Sequence, residues 1–207
     1  MSPGVILSNL SLVFVVLFAL ATPRAWAQDN ASPQPACPVG NLLAHKAPTA
    51  WQDVRRELSL LTDETVAPEG AVWDASLAAI LDTGASTVTW DLGEVTKVRL
   101  LAVQADANDT YNVWGSIDGK DYKLMGQIDP VSGHGLRMRT LDMGAGMAAR
   151  FVRVGEGKGD SFYSISEVAA YCQTPTPFPP QMKVADAPTA TAPKTYLDYW
   201  NNDTAAR

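Results

Sequence analysis

Two histidines, His45 and His134, are the only side chains here whose ordinary pKa lies close to neutrality, so general acid-base chemistry would have to start from one of them. Neither belongs to a nucleophile motif. The sequence holds no G-x-S-x-G, H-E-x-x-H, C-x-x-C or phosphate-cradling glycine loop. His134 stands between Gly133 and Gly135 and reads as a solvated turn. The expectation is a binding protein with no catalytic residues, not an enzyme.

Binding chemistry is better provided for. The run Asp106-Ala107-Asn108-Asp109-Thr110 gathers short side-chain oxygens that can grip sugar hydroxyls or a hard cation, although Asn and Asp also favour turns by bonding nearby backbone. A second loop, 155–164, is rich in Gly and charge and ends in Asp160, Phe162 and Tyr163; a Tyr just before a final strand serves equally as a core plug. In the stretch from Tyr111 to Ser116, Trp114 shares its side with Asn112 and Ser116. It is therefore an aromatic on a polar face, either covered by another segment or a contact residue. The expected ligand contacts are Asp106, Asn108, Asp109, Trp114, Asp160 and Tyr163, whereas Trp73 and Trp90 read as core. An aromatic run, Tyr196 to Trp200, closes a Pro/Ala/Thr-rich stretch and is either suited to docking on a partner or the juxtamembrane or interdomain remnant of a longer architecture.

Charge excludes one large class of partner. The chain carries −6 overall, and its short basic groups, Arg55-Arg56 and Arg137 with Arg139, are isolated among acids, so it lacks the basic stripe that nucleic acid requires. Loops 105–110 and 155–161 carry no Leu, Phe or Trp, and strong membrane insertion is not expected.

The elements that must position these groups have a dominant period of two. In Thr87-Val88-Thr89-Trp90-Asp91-Leu92 the apolar residues share one face and the polar ones the other, a half-buried strand. Further strands are expected at 97–104, 111–116, 122–128, 138–142, 150–154 and 167–171, with Asp118-Gly119 as a hairpin turn. Only 50–61 has a helical look. Residues 1–27 have the apolar run and the Ala25-Trp26-Ala27 ending of a signal peptide. Residues 28–36 read as a linker, 37–172 as one domain, and 173–207 as a disordered tail of which 173–195 is linker. Cys37 and Cys172 bracket the domain, and in an exported chain an even count favours a disulfide worth about 3 to 5 kcal/mol by chain entropy. The expected location is secreted or periplasmic, in or near the cell envelope.

The ordered pieces Leu61-Thr62-Asp63, Trp73, Val88 to Gly93, Val98-Arg99-Leu100-Leu101, Tyr111-Asn112-Val113, Ser116 to Tyr122, Ala149 to Val154 and Ile165 to Val168 before Tyr171-Cys172 resemble the discoidin, or coagulation-factor type C, domains. The resemblance implies an all-β fold, a galactose-binding-like jelly-roll β-sandwich, whose loops at one end bind a ligand. Relatives bind sugars, lipid head groups or proteins. The function it implies is non-catalytic carbohydrate binding, with a protein-interaction or cell-surface adhesion module as the alternative. It also implies a structural calcium near an early Asp turn and a late Glu, here Asp63, Thr65 and Glu167; Glu167 could instead pair with an Arg or cap the last loop.

Overall fold

The period of two is realised as an almost wholly antiparallel β structure. The computed structural model describes Met1 and residues 37–186. The chain divides into two units, Met1–Pro33 and Gln34–Arg207, and all the described strands belong to the second. The expected signal segment, the 28–36 linker and the aromatic run at Tyr196 lie outside the described residues.

Among the described residues ten strands and one 3-10 turn follow in order: β1 Ala50–Gln52, β2 Val54–Arg55, the turn Leu58–Leu61, β3 Thr65–Val66, β4 Ala79–Leu81, β5 Thr87–Asp106, β6 Thr110–Ser116, β7 Lys123–Ile128, β8 Leu136–Lys158, β9 Tyr163–Tyr171 and β10 Lys183–Val184. β5 and β8 pair antiparallel along their length, and their register slips between Asp91 and Thr96. Two layers are built on this long ribbon. One joins its Thr87 to Asp91 half to β1, β6 and β7; the other joins its Thr96 to Asp106 half to β9, β4 and β2. Val88, Trp90, Val113, Val152 and Val154 from the first layer pack on Val98, Leu101, Val103, Ile165 and Val168 from the second, all fully buried. That packing is the sandwich core. Each such side chain contributes about 1.5 to 3 kcal/mol when fully buried.

The β6–β7 hairpin closes as expected. Ser116 Oγ accepts from the Asp118 and Gly119 N–H groups, Asp118 Oδ1 accepts from Lys120 and Asp121, and Gly119 takes a positive φ of 74°. Cys37 and Cys172 are bonded, with Cα atoms 5.3 Å apart. Asn41 Oδ1 beside them accepts from Ala170 N, pinning the domain's entry to its last long strand.

Two expectations are corrected. Residues 50–61 hold no α-helix: β1 and β2 are edge strands on β5 and β4, and Asp53 and Arg56, with φ of 50° and 74°, break any helical run. Nor is 173–195 linker throughout. β10 pairs in parallel with β3, and Met182 packs on the outer-face cluster of Leu100, Ala102, Ala169 and Tyr171. The apolar outer face of one layer gives this segment something to cover. Among the described residues no helix is long and apolar enough to cross a membrane.

Candidate functional site

Hydrogen bonds stitch the loops at one end of the sandwich together. Asp53 O accepts from Asp82 N and Ser86 Oγ, Glu156 N donates to Ser86 O, Ala107 N to Gly135 O and Val131 N to Ala107 O. Asp53, Arg56, Glu156 and Ser161 all hold positive φ here, and strained non-glycine backbone gathers at functional sites.

Within this crown Asn108 and Asp160 are exposed and joined, Asn108 Nδ2 donating to Asp160 Oδ2 at 2.7 Å. Phe162, 43% exposed, lies beside them with its ring 5.0 Å from that of buried Trp73. The two other acids of the 106–110 run are turned inward, contrary to their reading as surface contacts: Asp106 is 1% exposed and Asp109 fully buried. Arg139 explains the inversion. Its guanidinium enters the loop and donates to the carbonyls of Asp106, Asp109 and Asp129, so the backbone wraps the cation and the side chains fold underneath. Burial pushes the Asp106 carboxyl up to about 6, with the Asp160 charge adding to it. Burial, helped by the charges of Asp106 and Asp160, raises Asp109 to about 7. Tyr163 is likewise no surface contact. It is the core plug, edge-on to buried Tyr111 at 6.4 Å. Trp114 is half-buried on the outward side, opposite Leu124 and Arg153. These residues thus divide between the crown, the layer beneath it and a sheet face.

The residues expected at a calcium site do meet. Glu167 is fully buried on β9, its Oε2 accepts from Glu64 N at 3.1 Å, and Asp63 Oδ1 accepts from Thr65 N. No Arg pairs with Glu167 among the described residues; burial and then the Asp63 charge lift its carboxyl to about 9, while Oε1 has no partner. Among the described residues no three His, Cys, Asp or Glu side chains are grouped to hold a metal, so a cation here would lean on Glu167 and backbone carbonyls.

A cleft of about 550 Å³ was not legible beforehand. It is lined by Trp51, Val54, Leu58 and by His45, Lys46, Arg56, Glu57 and Ser59 among its polar groups. Trp51 is 55% exposed. Arg56 is held by the carbonyls of Asp74, Ala75 and Ala78, which fixes its backbone at the cleft wall. The signal was an apolar ring at an edge, hidden because 50–61 looks helical.

No protein-family profile matches the sequence, and no curated protein matches it. Solved structures do. A histidine mutant of the lectin binding domain of lectinolysin, complexed with Lewis b, superposes at a TM-score of 0.53 with 13% identity, covering 67% of this chain and 100% of that one. Chitosan-binding module 1 from a chitosanase/glucanase of Paenibacillus sp. IK-5 gives a TM-score of 0.42 with 18% identity over 63% of this chain and 97% of that one. For SpGH29 the TM-score is 0.44 with 17% identity over 64% of this chain, and the match spans only 28% of that longer chain. The strand order, the two layers and the superposition on the lectinolysin domain agree: this chain has a jelly-roll β-sandwich fold of the galactose-binding-like kind.

Proposed function

We propose that this is an exported, non-catalytic module that binds carbohydrate in the cleft at Trp51. One observation carries the reading: a solvent-facing indole stands in a cleft beside cationic, acidic and hydroxyl side chains. A sugar ring offers an apolar face to stack on such a ring and hydroxyls for the polar groups around it. The cleft volume falls within the range of small-ligand sites, roughly 300 to 1,000 Å³. The lectinolysin domain, with the same fold, was solved with a Lewis-type glycan. The disulfide supports an oxidising compartment and hence export.

A structural calcium at Glu167 belongs with this reading, for a buried carboxylate with one unpartnered oxygen is a natural oxygen ligand for a hard cation. The ion would neutralise Glu167 and tie β9 to the Asp63 to Thr65 turn.

Residues 28–207 should be screened on a glycan array, with calcium and with EDTA, beside Trp51→Ala. The expected result is binding that Trp51→Ala lowers at least tenfold while its melting temperature holds. Absence of binding to every glycan would overturn the reading in favour of a protein-interaction module.

A further inference from the structure

The buried acids beneath the crown play no part in the Trp51 cleft, and their geometry is that of a clasp between two loops. Asp109 Oδ1 accepts from the backbone N–H of Asp160 at 3.3 Å, and Thr110 Oγ1 donates to Lys158 O at 3.2 Å, so the 158–162 loop hangs on the 106–110 loop. Oδ2 of Asp109 lies 3.4 Å from the Tyr111 hydroxyl, which is also 3.1 Å from Ser164 O and accepts from Ser164 N.

The Tyr111 hydroxyl has a single proton and two acceptors competing for it. If Asp109 is neutral, its own O–H donates to the Tyr111 oxygen, Tyr111 donates to Ser164 O, and both acceptors are satisfied. If Asp109 is charged, Tyr111 must turn toward it and Ser164 O loses its donor. The Asp160 N–H favours that charge, but burial and the facing Asp106 carboxyl, whose Oδ2 has no partner, together with the Asp160 carboxylate at the surface, outweigh it. Arg139 on β8 brings a cation into the clasp. Its terminal nitrogens are spent on the carbonyls of Asp106, Asp109 and Asp129, and no ion pair joins it to either buried acid. Tyr163 faces Tyr111 from β9, and His134 lies in the 131–135 loop that packs on Ala107.

We propose that Asp109 is a proton-operated latch that clamps the 158–162 loop, and with it Asp160 and Phe162, when its carboxyl is neutral and loosens that loop when charged. The crown is then set in mildly acidic surroundings and mobile in alkaline ones. The latch is independent of whether the Trp51 cleft takes a sugar.

Amide exchange at Gly159 to Phe162, measured residue by residue by NMR on residues 28–207 and corrected for intrinsic rates, tests it between pH 5 and 8.5. Wild-type protection should fall at least about tenfold as pH rises, a tenfold change corresponding to one unit of pKa difference between clamped and loosened states. Asp109→Asn keeps an acceptor for Asp160 N and a donor for Tyr111 but cannot ionise. Its protection should be high and flat. Asp106→Asn removes a facing charge without touching the clasp bonds, and should move the wild-type midpoint to lower pH. Flat wild-type protection, an Asp109→Asn profile that follows wild type, or a midpoint indifferent to Asp106→Asn would each overturn the latch.

Discussion

Glu167 sits in the middle of a fully buried strand, with one oxygen on the Glu64 amide and the other without a partner. A cation bound only by the folded chain stabilises it by mass action, about 2.7 kcal/mol at a hundredfold excess over Kd, or about 5 to 10 °C for a domain of this size. Calcium is expected to raise the melting temperature by that order, and Glu167→Gln, which removes the charge and keeps the shape, should abolish the shift while leaving the calcium-free melting temperature nearly unchanged. Scanning calorimetry in calcium and in EDTA checks both. At this scale the sequence told residue types well and their directions poorly. Asp63, Thr65 and Glu167 could be named from the resemblance and do adjoin. Asp106 and Asp109 could be named too, yet their inward turn is decided by Arg139, a distant residue on another strand that reads in the sequence as an isolated base. Tyr163 fell to the core because β9 is buried on both faces, which a single strand's alternation does not display.

Long strands that bend through both layers organise the sandwich, and their close approaches depend on missing side chains. Gly155 on β8 lies opposite Thr87 at a φ of 146°, and a Cβ there would sit 2.1 Å from Ser86 O. The nearest atoms it would meet are backbone of Ser86 and Thr87, which leaves nothing flexible to yield. Gly155→Ala is expected to cost about 3 kcal/mol or more, seen as a lower urea midpoint with an unchanged slope. The strands around it were legible from the alternation at Val88, Trp90, Val152 and Val154. Their continuity was not, because the segments at Gly93 and at Gly144 to Gly146 look like strand breaks although they are bends within one ribbon. β4 escapes the alternation because its three residues, Ala79 to Leu81, are all buried. β10 escapes it because its partner β3 is only two residues long and its docking depends on an apolar outer face assembled from β5 and β9.

Across the molecule two sets of carboxylates pull the stability in opposite directions with pH. Asp106, Asp109 and Glu167 are raised, to about 6, 7 and 9, so above their ordinary range the folded state holds protons that the unfolded chain has released, and stability falls as pH climbs from that range through those values. Asp91, held by the Arg150 guanidinium, and Asp118, held by turn N–H groups, are lowered to about 2; what they contribute is present above their ordinary range and disappears as pH drops toward 2. The melting temperature should therefore peak near about pH 4 and decline on both sides, as a thermal-denaturation series in EDTA would show. A maximum at alkaline pH would contradict the burial of these acids. The acidic overall charge was plain in the sequence, but which carboxylates are buried is a property of the packed loops.

The bond between Cys37 and Cys172 also governs how the domain bears mechanical load. Tension applied through the two ends of the chain must cross that single covalent bridge, since its two cysteines bracket nearly the whole sandwich. The strands between them carry none of the pull. Among the described strands, β10, which follows Cys172 and is held by a two-residue ladder, lies in the line of force and would peel away first. Tethered in a flowing medium, such a module would surrender a short strap and keep the loops of its crown undistorted, until a reductant opened the bridge.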